Sequence, residues 1–457
     1  MSSIILSALW GVLMMFSGIF FKKKSVAKYI AVLGMIALLT VNFLEYYSIW
    51  YIYADIGGML KFTPFSQVFT TIAFACTLLF FILNASEFEA VGADVYEYYA
   101  LIFFILCGVC LVASFNTLLM LFLGIEIISI PLYILAGSDK QNLKSNEASL
   151  KYFLMGAFST GIMLMGIAFL YGATGSFHIE AMNLGVSKLK PMVAIGLVLL
   201  LISMSFKVSA VPFHFWTPDV YDGSPTVFTS FMATIVKAAS FIAFLHLFDT
   251  AFGKAHEQWQ LLVALITAAT LFIGNITAVF QRSVKRMLAY SSIAQAGFMM
   301  FALIGLNTFA REGLILYAAA YCLATIGTFA ILIKMKDFSL EGFNGLAKTQ
   351  PFLALANTVF LLSLTGIPLT AGFFAKYYML IGAIKNGHYT WLVIFAVLMA
   401  AVSAYYYFRV IQSMYFKDGY PQVSPLSPVF KATLFVTAAL VIILGMFPNL
   451  LIKALYY

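Results

Sequence analysis

Four charged side chains lie within long apolar stretches of the sequence, where a charge is costly. Glu126 occurs in "LFLGIEIISIPLYILAG" and Lys237 in "FMATIVKAASFIAF", and each is central in its stretch. Lys207 and Lys376 lie in stretches that proline interrupts. A charge at the centre of a bilayer costs about 2.5–3.5 kcal/mol on insertion scales, so its presence calls for a reason. One acid and three bases at this depth could relay protons.

Lysine and glutamate together provide the chemistry that such a relay needs. Burial favours the neutral form of a lysine, whereas a nearby carboxylate favours the charged form. A lysine whose carboxylate partner can move is therefore able to load and release a proton. The structural alternative is that each lysine anchors a helix by extending its ammonium to the membrane surface. The central positions of Glu126 and Lys237 argue against anchoring, but for Lys207 alone both interpretations stay open.

Histidine is the other side chain that could carry protons near neutral pH. His214 directly follows Pro212 in "SMSFKVSAVPFHFWTPDVYDG", so it could relay protons or cap a helix break. His246 lies towards the end of a predicted span, which favours a packing role. The sequence contains no cluster with metal-ligand spacing, no glycine-rich phosphate loop and no nucleophile elbow. We therefore expect no metal site and no cofactor.

The elements that position these groups are predicted to be membrane-spanning helices. Hydrophobic residues make up 63% of the chain and charged residues 10%, and the mean hydropathy is +0.98. Such a composition belongs in lipid, where only helices and closed barrels can satisfy the backbone, and long unalternating apolar runs favour helices. We predict an all-α polytopic membrane protein with about fourteen spans. The net charge of +8 comes without a basic patch interleaved with aromatic residues, so nucleic acid is not an expected partner.

The basic residues between the predicted spans suggest an orientation. Sixteen of them fall in loops on one side and seven in loops on the other. Because basic residues concentrate on the cytoplasmic side, both termini are predicted to lie outside. The first apolar segment lacks a basic region before it and is followed by three lysines, which is typical of an uncleaved first span.

Two of the predicted spans are interrupted, at Pro212 and at Gly366–Pro368. Proline removes a backbone donor and clashes with the preceding turn. Each break falls in the fourth helix of a set of five predicted spans. Because five is an odd number of crossings, the second set begins on the opposite side of the membrane and is inverted relative to the first. Matching breaks in inverted repeats point to an ion pathway at the midplane. The predicted organisation is an N-terminal three-helix segment, two five-helix repeats and a C-terminal helix, at 1–97, 98–250, 258–416 and 428–457.

Four segments of the sequence carry a family resemblance. In chain order they are "LFLGIEIISIPLYIL", "FKVSAVPFHFWTPDVYDGSPTVFTSFMATIVKAA", "QRSVKRMLAYSSIAQAGFM" and "LTGIPLTAGFFAKYYML". Their order and spacing resemble those of the antiporter-like proton-pumping subunits of respiratory NADH-quinone oxidoreductase, complex I. The resemblance is strong over about residues 98–416.

The resemblance implies a role for each charged residue in the apolar stretches. Glu126 and Lys207 would form the pair that modulates the first half-channel. Lys237 would be the central relay, and Lys376 the residue from which the proton leaves outward. Relatives often have a histidine where this chain has Gln295, and a glutamine cannot titrate, so a proton role at that position is in doubt.

The resemblance also implies partners and a location. The chain would be one membrane-arm subunit of an enzyme, beside other antiporter-like subunits, in a bacterial inner membrane. It would move protons through water and side chains, using energy from redox chemistry in other subunits. The alternatives are a cation/proton antiporter subunit, the membrane arm of an energy-converting hydrogenase, or a scaffold bundle that only assembles partners. A scaffold does not explain four charges at membrane depth.

Overall fold

The computed structural model describes residues 1–21, 23–52, 56–182, 190–385 and 387–456. Lys22 and Lys188, two of the basic residues behind the predicted orientation, lie outside these ranges. Within the ranges the chain is almost entirely helical, and its few β-bridges are isolated.

The described residues of the first half of the chain form ten α-helices. They are α1 (Ser2–Phe20), α2 (Lys24–Tyr46), α3 (Pro64–Val91), α4 (Val95–Ser114), α5 (Leu118–Ala136), α6 (Leu143–Thr174), α7 (Pro191–Lys207), α8 (Trp216–Gly223), α9 (Thr226–Phe231) and α10 (Lys237–Phe252). A π-helical segment, Met232–Val236, joins α9 to α10, and a short 3₁₀ helix spans Ile179–Met182.

The described residues of the second half form ten more. They are α11 (His256–Val279), α12 (Val284–Met299), α13 (Phe301–Gly305), α14 (Thr308–Lys334), α15 (Leu346–Thr349), α16 (Pro351–Thr365), α17 (Ala371–Ile384), α18 (Thr390–Phe416), α19 (Pro428–Met446) and α20 (Asn449–Ile452). Short 3₁₀ helices span Gly253–Ala255, Glu341–Phe343 and Lys453–Tyr456.

Eleven helical stretches within the described ranges are long and apolar enough to cross a membrane. One of them, Thr226–Val279, has 54 residues and contains the 3₁₀ turn Gly253–Ala255 between α10 and α11. Three shorter apolar helices, α7, α16 and α17, flank the two predicted breaks. The all-α membrane architecture is confirmed, whereas fourteen spans remains a prediction.

The bundle has a buried centre and a lipid-accessible periphery. The most apolar window of α14 is completely buried, and α14 contacts α3, α16, α17 and α19. In α1 the corresponding window is only 28% buried. Lipid and protein interior are both apolar, so apolar residues cover every face of the outer helices and periodicity does not mark their packed side.

The first break begins at Val208, after α7, and lasts until α8 begins at Trp216. Ser209 adopts a φ of +64°, and its hydroxyl accepts a hydrogen bond from Thr217 Oγ1 at 2.7 Å. The indole of Trp216 donates to the Phe206 carbonyl at 3.2 Å, and the Val211 amide donates to Thr270 Oγ1 on α11 at 2.9 Å. Side chains thus replace the backbone bonds that the break releases.

The second break separates α16 from α17 over residues 366–370. Gly366 ends α16 with a φ of +91°, a conformation that favours glycine. The Ser363 hydroxyl accepts a hydrogen bond from the Gly372 amide across the break at 3.1 Å. Both predicted interruptions are therefore present, and each is bridged by a serine at the end of the first half-helix or just beyond it.

Candidate functional site

Lys207 is the last residue of α7, and its side chain reaches α5. Its Nζ donates to Ser129 Oγ at 3.1 Å. Glu126 lies one turn earlier on α5 and accepts a hydrogen bond from Thr160 Oγ1 of α6 at 2.7 Å. Glu126 interacts electrostatically with Lys207, but the described residues contain no direct ion pair between them. The predicted pair therefore lies together, with Ser129 in contact with the lysine.

A cavity of about 20 Å³ lies between Lys207 and α10. Its polar lining comes from Ser129, Tyr152, Lys207 and Trp216, and from Ser240 on α10. Ser240 is three residues after Lys237, so the two are neighbours on one face of α10. A space of this size holds about one water molecule. The cavity therefore connects the surroundings of Lys207 with the helix that carries Lys237.

Lys237 is the most buried of the three lysines, with 2% of the residue exposed. It begins α10 directly after the π-helical segment, and its Nζ donates to the carbonyl and the hydroxyl of Ser292 on α12, both at 3.0 Å. The ammonium also lies 5.8 Å from the centre of the Tyr221 ring. All of these partners are uncharged. Lys237 therefore occupies a site in which a neutral amine can be accommodated.

Lys376 lies on α17, but its ammonium contacts the end of α16. The Nζ donates to the carbonyls of Leu364 and Thr365 at 2.9 and 2.8 Å, and lies 4.5 Å from the centre of the Phe298 ring. The last carbonyls of a helix carry a partial negative charge and favour a cation. The second break therefore creates the binding site for its own lysine.

Gln295 connects Lys376 with two tyrosines. Its Nε2 donates to the Leu364 carbonyl at 2.8 Å, the same carbonyl that Lys376 contacts, and to the Tyr407 hydroxyl at 3.1 Å. Its Oε1 accepts a hydrogen bond from the Tyr317 hydroxyl. Ser292, the partner of Lys237, lies three residues earlier on α12. A single helix thus contacts the central lysine with one residue and the surroundings of the terminal lysine with another.

His214 lies in the first break and is buried, with 7% of the residue exposed. Its ring packs against Phe215 with the ring centres 4.5 Å apart, and its Nδ1 has no hydrogen-bond partner among the described residues. No hydrogen bond joins it to Lys207 in that part of the chain. His246 instead bonds the Phe115 carbonyl at 3.0 Å and packs against that ring, as the predicted packing role requires.

Two features near the site were not predicted from the sequence. The π-helical segment before Lys237 is one, and π segments are frequent at functional sites. The other is an ion-pair cluster in which Lys151 of α6 and Arg286 of α12 both contact Asp219 of α8, the arginine at 3.2 Å. In the sequence, the acids of "TPDVYDG" and the bases of "QRSVKRML" are the residues from which this cluster could have been predicted. The cluster ties the helix after the first break to the second predicted repeat.

Comparison with known proteins identifies relatives along the whole chain. Residues 115–403 match the family described as NADH:quinone oxidoreductase/Mrp antiporter, TM. The chain is 41% identical to NADH-quinone oxidoreductase subunit N of Cytophaga hutchinsonii, over 99% of both chains.

Solved structures have the same fold. A chain of respiratory complex I from Thermus thermophilus superposes with a TM-score of 0.85 at 34% identity, over 99% of both chains. A chain of the Mrp complex from Dietzia sp. DQ12-45-1b gives a TM-score of 0.85 at 18% identity, over 100% of this chain and 96% of that one, which is a likeness of fold alone. Given the family match and the identity over nearly the full length, the chain belongs to the NADH:quinone oxidoreductase/Mrp antiporter transmembrane family.

Proposed function

We propose that the chain is a proton-translocating membrane-arm subunit, of the subunit N type, in a respiratory NADH-quinone oxidoreductase. The observation that carries the proposal is the series of three lysines, Lys207, Lys237 and Lys376, held by hydroxyl and carbonyl oxygens inside an apolar bundle. A lysine with uncharged partners can lose its proton without leaving an unpaired carboxylate. Relatives that carry the name of this enzyme support the assignment.

The residues have different roles along the proposed path. Glu126 modulates the loading of Lys207 through the charge that it places on the adjacent turn of α5. The proton passes by the cavity at Ser240 to Lys237, which serves as the central relay. Lys376 receives it and releases it outward. His214, buried in the first break, would accept its proton from water that enters the unwound segment between α7 and α8.

The proposed movement requires energy from elsewhere in the complex. A proton moved against 100 mV requires about 2.3 kcal/mol. We assign that energy to redox chemistry in other subunits, and the partners to further antiporter-like subunits of the membrane arm. The proposed location is a bacterial inner membrane, with both termini on the outer side.

Cation/proton antiport is the second candidate, because the matching family also includes Mrp antiporters. The likeness to the Mrp chain concerns fold, at 18% identity, whereas the complex I chain from Thermus thermophilus is 34% identical. The higher identity to chains of the respiratory enzyme, over nearly the full length, therefore favours proton translocation in that enzyme over cation/proton antiport.

The test uses the intact complex in proteoliposomes, with proton uptake measured after addition of NADH and a quinone. In Lys237→Met we expect translocation to fall by about 100-fold, the scale of a lost acid–base group, while the complex still assembles. Lys417→Met, at an exposed position just beyond α18, is the matched control and should pump normally. Undiminished translocation by an assembled Lys237→Met complex would overturn the relay, and sodium-driven uptake without NADH would favour the antiporter.

A further inference from the structure

A cavity of about 650 Å³ lies between α2, α3 and α19, and none of the three lysines of the relay lines it. It adjoins the ends of four helices: α2 and α19 begin there, and α3 and α14 end there. Helix α3 contacts both α2 and α19 and forms the floor of the groove. Tyr29 and Val429 on its two walls are 63% and 60% exposed, so the groove is accessible from outside the chain.

Three charged side chains line this groove, and one of them, Lys334, is neutralised by Glu87, which is not part of the lining. Lys334 donates to Glu87 at 2.6 Å and to Ser86 Oγ at 3.0 Å. The other two, Lys28 and Glu89, line the cavity without an ion-pair partner among the described residues. In the part of the chain that is described, the groove therefore presents one cation and one anion that form no ion pair, and the ammonium of Lys28 lies 4.9 Å from the centre of the Tyr29 ring.

The start of α19 adds a second positive element. Ser427 lines the cavity and caps the helix by accepting a hydrogen bond from the Phe430 amide at 3.1 Å. The first turn of a helix carries a partial positive charge that attracts phosphate. Lys28 and this helix start together make one positive region, while Glu89 provides the negative one.

Apolar residues continue from the polar end along both walls. On α2, Tyr29 and Val32 line the cavity, and Ile36 follows on the same face with 48% of its surface exposed. On α19, Val429 lines the cavity, and Val436 lies two turns further with 47% exposed. Residues at this spacing share one helix face. The groove thus has a charged head at a helix end and apolar walls that run along the spans.

We propose that this groove binds an amine-bearing phospholipid of the phosphatidylethanolamine type. Its phosphate contacts Lys28 and the start of α19, its ammonium donates hydrogen bonds to Glu89, and its acyl chains lie along α2 and α19. An anionic phospholipid has no group to neutralise Glu89. A choline headgroup has no N–H to donate to that carboxylate. The pair of opposite charges therefore selects the zwitterion with a hydrogen-bonding amine.

The test measures which lipid the full-length chain retains. The purified chain in detergent is incubated with equal amounts of dioleoyl phosphatidylethanolamine, phosphatidylcholine and phosphatidylglycerol, and bound lipid is counted by native mass spectrometry. We expect phosphatidylethanolamine to be retained about tenfold over phosphatidylcholine, the factor expected of one charge-assisted hydrogen bond. Equal retention of the two would overturn the proposal.

Substitutions at Glu89 distinguish the groove from general lipid adhesion. Glu89→Gln should remove the preference for phosphatidylethanolamine, and Glu89→Lys should shift retention to phosphatidylglycerol. Glu97→Gln, an exposed acid in the first turn of the neighbouring α4, should keep the wild-type preference. A preference that survives Glu89→Gln would contradict the assignment. In the intact complex, a photo-crosslinker at position 429 should capture lipid, and capture of another subunit would also overturn it.

Discussion

The two helix breaks hold their lysines by different means. Lys207 precedes Pro212 and extends to a hydroxyl on another helix, Ser129 of α5, with Glu126 one turn away. Lys376 follows Pro368 and turns back to the carbonyls that its own broken helix exposes. Although one lysine comes before its break and the other after it, both belong to the C-terminal end of the first half-helix. Lys207 is itself the last residue of its half-helix, α7. Lys376 instead reaches the end of its half-helix, α16, through its side chain.

This difference separates a site that can be tuned from one that is fixed. Ser129, the partner of Lys207, and the nearby carboxylate of Glu126 both belong to α5. A shift of α5 relative to α7 therefore changes how strongly the ammonium of Lys207 is stabilised. The carbonyl partners of Lys376 end α16, and only residues 366–370 join α16 to α17, so the chain itself limits how far this lysine and its partners can separate. We infer that the first break regulates proton loading, whereas the second sets a constant exit site.

The largest effect is expected at the fixed site. Replacing Lys376 by methionine removes the only ionisable group bonded to the Leu364 and Thr365 carbonyls in the described structure. We expect NADH-driven proton translocation in proteoliposomes to fall by about 100-fold, as for loss of an acid–base group.

Lys376→Arg is the control that separates charge from proton release. A guanidinium keeps the positive charge and can still bond the carbonyls, but it does not release its proton. It should therefore be nearly as inactive as Lys376→Met. An active arginine variant would show that this site requires only a fixed charge, and the proposed exit role would be wrong.

The second-largest effect is expected from the interaction of Glu126 with the lysine at each break. In a double-mutant cycle, Glu126→Gln and Lys207→Met should be coupled by about 1 kcal/mol or more, because their charges interact. Glu126→Gln and Lys376→Met should be additive within about 0.5 kcal/mol, since no shared partner connects them. Rates of proton translocation converted to free energies provide the measurement. Equal coupling in both cycles would remove the distinction between a tunable and a fixed site.

The breaks themselves could be predicted from the sequence because proline and glycine act locally. Pro212 cannot donate a helical hydrogen bond, and Gly366 tolerates the positive φ that ends α16. The burial of Lys237 could be predicted as well, because residues 231–244 are mostly apolar and contain no other charged residue. These signals reside in residue type and need no knowledge of tertiary contacts.

The partners of the lysines could not be predicted in the same way. Leu364 and Thr365 contact Lys376 through backbone carbonyls, which every residue possesses, so the sequence carries no mark of them. The π-helical segment Met232–Val236 consists of residues that also fit an α-helix, and packing alone decides its geometry. Ser129 is one of many serines in the spans, and only the approach of α7 to α5 selects it as a partner.

A smaller effect should follow when the backbone of the second break is disturbed. Gly366 has a φ of +91°, and an added Cβ would lie 3.0 Å from the Cδ of Lys376. Gly387 has a φ of +76° with no atom within 4 Å of an added Cβ. Replacing either glycine by alanine should cost about 1–2 kcal/mol of stability from the left-handed backbone, measured by thermal unfolding. Only Gly366→Ala should also slow translocation, by roughly tenfold if Lys376 shifts. Equal translocation by the two variants would show that Lys376 tolerates displacement.

The smallest effect is expected at Gln295, which lies beside the second break. Its amide donates to the Leu364 carbonyl beside Lys376, so that carbonyl keeps a donor when the lysine side chain moves. Gln295→Met removes this donor, the donor to the Tyr407 hydroxyl and the acceptor of the Tyr317 hydroxyl, but only the first of these bonds lies beside Lys376. Translocation should fall roughly fivefold, the factor for about 1 kcal/mol of one lost hydrogen bond. Gln295→His should recover most of the rate, because an imidazole N–H can donate to the same carbonyl. If Gln295→Met pumps like the wild type, the Leu364 carbonyl needs no second donor and Lys376 is held by its own contacts alone.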